Sequence, residues 1–532
     1  MIRSGFSIVY DRQNTVQSVI IPALGVGFAQ TLNLAGPACN ITGAGGTLCT
    51  PNSTNPALSV FRVGQDGTMP VPPVPAQSNP VVPQVTFNPR NGNINFPEVF
   101  SFQDDPSIKV GRNYAADFSV QREFPGNMLL EVAYSGRLGR DLPQSMSLGQ
   151  SPINFKDTAS GQTFAQAFDA VATQLRSGTK ASAVTPQPWF ENQAPGGTVS
   201  LATAAGANFV NGNVSSVFRT IDQRRLLAGL PTFNNYLAQG IFFRSSTGES
   251  NYHALLVTLS KRASKNLTFT GNYTFSHSLD QIGAIQNAAN LMPNSFDLNA
   301  EYGPSGFDFR HIFNGKWVYN APFKSSNPFL KRIAEGWFNS GIFTAISGQP
   351  LTATEGSQVW GGTLALGFNS GEVPTVDPGS FRDGVHTGAT GSNGIGTNSN
   401  PANQGTGLNL FGDPFAVSQD FRKVLLASDG RAGRSRPFRG LGHWNLDSSF
   451  GKNTAITERV HAIFTADFFN IFNHPIFCDP GQAQGNPTLS NCGGSLSLAS
   501  GLTNFGVISS EFVPANRTTG SRWIQLSLRF EF

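Results

Sequence analysis

Charge is what this 532-residue sequence has little of: Asp, Glu, Lys and Arg make up 13%, about half of the ~25% usual in globular chains. A large hydrated surface of charged side chains is therefore excluded. Long apolar runs are missing too. No window reaches the ~18 consecutive apolar residues of a transmembrane helix. The opening MIRSGFSIVYDRQ has no basic segment leading into an apolar one, so a secretory leader, if the protein is exported, is expected outside this sequence. The 36 basic residues exceed the 32 acidic ones by four. That surplus is too small and too dispersed for a nucleic-acid partner.

Cysteine is scarce, at four residues. Cys39 with Cys49, and Cys478 with Cys492, each enclose a short Gly- and polar-rich segment. The spacing suits two loop disulfides in an oxidising compartment, against four unpaired thiols, and three pairings are open. Neither pair has the two-to-four-residue spacing of a zinc knuckle, and no metal is expected. The seven histidines (His253, His277, His311, His386, His443, His461 and His474) include no i, i+4 pair of the metalloprotease kind. No nucleophile elbow, Walker loop or supported carboxylate pair is present, so neither a cofactor nor an enzymatic activity is expected.

What fills the gap is Gly (58), Phe (44) and Pro (34), with many Asn, Ser and Thr. Their arrangement is alternating. In LTFTGNYTFS (267–276), Leu267, Phe269, Gly271, Tyr273 and Phe275 share one face while Thr268, Thr270, Asn272 and Thr274 share the other, because strand side chains alternate with period two. The same two-faced pattern occurs at 5–10, 117–123, 128–135, 253–261, 312–320, 336–346, 443–452, 459–470 and 522–532. About ten strands are expected, and one short helix inside a loop, FAQAFDAVATQL (164–175).

The connections alternate as well. FPGN (124–127), RASK (262–265) and NTAIT (453–457) are tight and 321–335 is somewhat longer, whereas 11–114, 136–251, 277–310, 347–441 and 471–520 are long. Compact soluble domains seldom hold structureless loops beyond ~15 residues. An outer-membrane barrel predicts the asymmetry, with short periplasmic turns at one rim and long extracellular loops at the other. Proline-rich VPPVPAQSNPVVP (71–83) reads as a stiff spacer in the first long loop. Aromatics near strand ends, such as Tyr273, Phe275, Trp317, Tyr319, Trp444, Phe468, Phe469 and Phe472, suit a ring at headgroup level. The expected fold is all-β: an antiparallel transmembrane β-barrel, which must close because lipid cannot satisfy an open edge.

Longer phrases carry a resemblance. DFSVQREFPGNMLLEVAYSGRLGRDL (117–142), NYHALLVTLSKRASKNLTFTGNYTFSHSLD (251–280), FDFRHIFNGKWVYNAPF (307–323), GWFNSGIFTAISGQPLT (336–352), the run from Arg436 to Phe477, and NFGVI (504–508) resemble the barrel of Oar-like TonB-dependent receptors. The resemblance implies a barrel of about 22 strands, of which residues 1–532 would supply about ten C-terminal ones, without the plug, regulatory-like domain and signal peptide. It further implies uptake of a bulky solute across the bacterial outer membrane, with the TonB system as partner only if a plug is supplied elsewhere. Two other classes remain open: a self-contained outer-membrane channel or adhesin, and a secreted soluble β-protein that binds glycans.

Three groups of residues stand out as sites. In WIQLSLRFEF, Ile524, Leu526, Leu528, Phe530 and Phe532 alternate with Gln525, Ser527, Arg529 and Glu531; resemblance to outer-membrane proteins makes Leu528, Phe530 and Phe532 the signal for the barrel-assembly machinery. Arg431, Arg434, Arg436 and Arg439 precede a strand and are candidates for contact with lipopolysaccharide phosphates, which guanidinium groups grip bidentately. Asp308, Arg310 and His311 form a charged group read either as a solute contact or as an ion pair fixing a strand start.

Overall fold

A computed structural model describes residues 1–11, 86–90, 92–95, 101–236, 238, 241–264, 266–281, 294–299, 302–354, 359–360, 373–374, 408–411, 414–429, 438–457, 459–480, 495–498, 505–508, 511, 513 and 520–532. Ten long strands form one antiparallel meander, each paired with its neighbours in chain order. They are β1 (Ile2–Tyr10), β2 (Arg112–Phe124), β3 (Met128–Ser147), β4 (Ile241–Ser264), β5 (Leu267–Asp280), β6 (His311–Asn320), β7 (Trp337–Ile346), β8 (His443–Ala455), β9 (His461–Phe469) and β10 (Trp523–Glu531). All ten alternating segments of the sequence are therefore strands. Even the shortest has nine residues, enough for a tilted strand to cross a bilayer at ~9–11 residues.

Turn chemistry fixes the short side. Between β2 and β3, Gly126 and Asn127 both take positive φ, the left-handed conformation a tight hairpin requires and that Gly and Asn adopt at least cost. On the long side, β3 and β4 have 20 and 24 residues, roughly ten more than a crossing needs. Their far ends project beyond the rest of the sheet, with register shifts between Gly139 and Gln144. A short strand, Ser101–Asp104, runs parallel to the start of β4, and Arg244 there clasps Asp104 at 2.6 Å.

The all-β expectation needs correction in the β3–β4 connection. It folds as α1 (Phe164–Arg176), α2 (Pro188–Gln193), α3 (Gly197–Asn211) and α4 (Val214–Leu227). Thr163 caps α1 in a reciprocal capping box with Gln166, which satisfies two otherwise orphaned N–H groups. Phe164, Phe168, Trp189, Phe190, Phe209 and Phe218 are fully buried together. Each such ring contributes about 1.5–3 kcal/mol through burial, so this insertion has a core of its own. Other long connections dock on it: Val359, Trp360, Val424 and Leu426 enter the same core. A second loop-side core gathers Leu351, Leu410, Phe411, Phe438 and Phe505. The described parts of these connections are therefore packed.

Candidate functional site

Because cross-strand partners share a face, the registers sort every strand position onto one of two surfaces. One surface runs unbroken through Phe6, Phe118, Val132, Val257, Tyr273, Phe313, Phe343, Leu446, Ala466 and Leu526. It is apolar and exposed: Phe118, Phe313, Phe450, Phe464 and Leu526 leave 36–65% of their surface uncovered. Among the positions that the registers pair on it there is no carboxylate, and Arg112 at its loop-side end is paired with Asp141 at 2.9 Å. Arg122, Lys261 and Lys452 lie beside the short turns, and Arg112 and Arg140 lie at the opposite end. This is the distribution lipid imposes, since long cationic side chains reach the interface from near a rim whereas a mid-membrane charge is costly.

The opposite surface carries Asp117, Glu131, Thr258, Asn272, Asn314, Thr344, Asn445, Thr465 and Ser527. Thr270, Lys316, Ser340, Asp447 and Asp467 line a cavity of about 420 Å³ there together with the apolar Val318, Ile342, Phe468 and Phe469. Asp447 is held by Asn445 Nδ2 at 2.8 Å and the Asn470 N–H at 2.7 Å. A wall of hydroxyls, amides and paired charges offers a polar solute many weak, exchangeable partners. It offers no convergent set of metal ligands, and among the described residues no group of three His, Cys, Asp or Glu could hold an ion.

Glycines let aromatic rings lie flat against the sheet. Trp317 covers Gly341 and Tyr134 covers Gly136, so a Cβ at either glycine would meet the ring. Tyr134 donates to, or accepts from, His253 Nδ1 at 2.7 Å, and Tyr273 stands in the same relation to His311 at 2.8 Å. His311 thus belongs to the apolar surface and not to the charged group beside it.

That group is larger than the sequence shows. Buried Asp308 receives Arg310 Nε at 3.0 Å, Arg439 Nη2 at 2.6 Å and the Ser278 N–H at 2.7 Å, with His277 Nδ1 at 3.3 Å. Burial pushes the Asp308 carboxyl up, but the Arg439 hydrogen bond, the Ser278 amide and the two guanidinium charges outweigh it and hold it below the ordinary carboxylate value. The ion-pair reading fits this geometry, and the group joins two long connections, the one before β6 and the one before β8. Arg439 therefore spends its guanidinium on Asp308, and a lipid phosphate would have to compete for it. Arg431, Arg434 and Arg436 lie outside the described residues, as do Cys39, Cys49, Cys492 and the stretch 71–83. Cys478 is buried and disulfide-bonded.

A further anchor joins the loops to the helices. Asp169 of α1 accepts the Leu426 and Ala427 N–H groups, each at 2.8 Å. Burial pushes its carboxyl up to about 6 despite those bonds. At the other end of the chain Leu528, Phe530 and Phe532 are exposed, Phe532 by 95%, and β1 and β10 each pair on one side only among the described residues.

A lipid-compatible surface backed by a polar one, on strands joined by short turns at one rim and folded loops at the other, defines an integral outer-membrane β-barrel protein. The chain belongs to the outer membrane beta barrel domain family, whose model matches residues 1–525, and its place is the bacterial outer membrane. No curated protein matches it in sequence. Among solved structures it is similar to the outer membrane transporter YddB from Escherichia coli, at 7% identity and a TM-score of 0.31, over 83% of this chain. The match spans 35% of that transporter's length.

Proposed function

We propose that this chain forms the C-terminal arc of a larger barrel of the Oar-like TonB-dependent type, which takes a bulky solute across the outer membrane. The observation that carries the reading is the pair of sheet edges. β1 and β10 are antiparallel meander ends with no second partner among the described residues, and in lipid each unpaired N–H and C=O costs several kcal/mol. β1 runs toward the loop rim and β10 away from it, so any inserted strands must be even in number to keep the sheet antiparallel. A completion to 22 strands meets that condition and gives the wide, plugged class of barrel. The TonB system enters as a partner only with a plug from outside these residues. The solute path runs over the polar surface, beneath loops locked by Asp308. No enzymatic activity is proposed.

The test uses cysteines at Ser7 of β1 and Ser527 of β10, both on the polar surface, in cells. The reading predicts no disulfide between them, because other strands intervene. An efficient intrachain bridge would show a self-closed ten-stranded channel and overturn it.

A further inference from the structure

The β6–β7 connection is the longest of the short-side turns, and it holds the helix α5 (Pro328–Ala334). Asn327 caps it, accepting the Phe329 and Leu330 N–H groups, and Pro328 occupies the first turn, where its missing N–H costs nothing. At 100° per residue, Phe329, Leu330 and Ile333 fall on one side and Lys331 and Arg332 on the other. Packed helices bury their apolar side, as α1 does. Here the apolar side is bare: Phe329 is 71% exposed, Leu330 51%, Ile333 51%, and neighbouring Phe323 61%.

The exposure is fixed by the structure. Lys452 Nζ donates to the Ile333 and Glu335 carbonyls, each at 2.8 Å, and stands 4.8 Å over the Trp337 ring. Trp337 Nε1 donates to the same Ile333 carbonyl at 2.8 Å. A cation at a helix C-terminus complements its dipole. Trp337 and Lys452 are cross-strand partners on the apolar surface, so the bare side of α5 continues that surface. Lys331 and Arg332 line a cavity of about 790 Å³ together with Asn453 and His461, which lie on the polar side of the rim. One side of α5 thus continues the lipid surface, and the other faces the aqueous rim.

We propose that α5 is an interfacial anchor. Phe323, Phe329, Leu330 and Ile333 enter the acyl boundary of the leaflet on the short-turn side, and Lys324, Lys331 and Arg332 take the phosphates of anionic phospholipids there. The occupant follows from continuity with the lipid surface and from charge: Lys324, Lys331 and Arg332 are exposed at the rim that also carries Arg122 and Lys261, while Glu335 is engaged by the Ser325 N–H at 2.8 Å. The inference rests on the lipid-facing reading of the sheet and is independent of barrel size.

The full chain, reconstituted in nanodiscs of phosphatidylethanolamine with and without phosphatidylglycerol, is released into a mass spectrometer under native conditions and its retained lipids are counted. Phosphatidylglycerol should be retained in preference, and the K324S/K331S/R332S variant should lose that preference by roughly fivefold for each cation removed. Heat-modifiable migration on gels reports insertion separately. A heat-modifiable wild-type chain with no preference for phosphatidylglycerol overturns the anchor and leaves the barrel standing. Unchanged preference in an inserted triple variant overturns it as well, and an acidic protein retained in place of lipid would assign the surface to that partner instead.

Discussion

Arg439 reaches Asp308 at 2.6 Å across 131 positions of sequence, and with that contact the segment before β8 is tied to the segment before β6. Replacing Asp308 by Asn leaves Arg310 and Arg439 facing each other without an anion. The expected cost is about 3 kcal/mol, the low end for breaking a buried pair, because both guanidinium groups keep partial access to water. Its pH dependence follows from its lowered carboxyl. The contribution is present above the ordinary value of 3.8 and is lost as pH falls through the depressed folded value. Thermal loss of heat-modifiable migration in detergent, wild type against D308N, measures both.

The ring of Trp317 lies over Gly341, and its Nε1 donates to Asn339 Oδ1 at 2.8 Å. Gly341→Val forces the indole off the sheet. The expected cost is about 1–3 kcal/mol, as for other overpacked sites. A lower urea midpoint followed by tryptophan fluorescence checks it, with Gly5→Val as the control because nothing lies within 4 Å of a Cβ there.

Asp169 behaves in the opposite sense to Asp308. Its carboxyl is raised to about 6, so its contribution to docking the 424–429 segment is complete below 3.8 and is lost as pH rises through about 6. Amide exchange at Leu426 and Ala427, corrected for intrinsic rates, should show weaker protection at pH 7 than at pH 4.5. In D169N that pH dependence should vanish.

Phe532 makes a different case. At 95% exposure it contributes almost nothing by burial to the folded chain, so deleting it should leave the melting temperature of assembled protein unchanged. If it is the assembly signal, the amount reaching the membrane should nevertheless fall well below that of a loop deletion. Equal assembly of both variants would leave the terminal residue without that role.

These contacts differ in how far the sequence betrays them. Period-two alternation is local, and it marks all ten strands, including Leu267 to Phe275. The extensions of β3 and β4 escape it, because Gln144, Ser145 and Ser147 are buried polar residues that read as loop. Most of the helical insertion escapes as well. In α3, GTVSLATAAGANFVN, small and apolar residues surround the axis and leave little contrast between sides. In α4 the signal is there: Val214, Val217, Phe218 and Ile221 recur at helical spacing and are buried, and Pro188 opens α2. FDFRH announces a charged group, but its partner Arg439 is distant in sequence and belongs to a run of arginines that reads as solvent-facing.

The central claim is that one surface of this sheet meets lipid and the other water. Spin labels placed singly from 267 to 275 on β5, in the reconstituted chain, test it through collision with oxygen, which concentrates in the bilayer, and with a water-soluble nickel complex. The account predicts a period of two, with oxygen favoured at Leu267, Phe269, Tyr273 and Phe275 and nickel at Thr268, Thr270, Asn272 and Thr274. Nickel access at all these positions, without alternation, would contradict it.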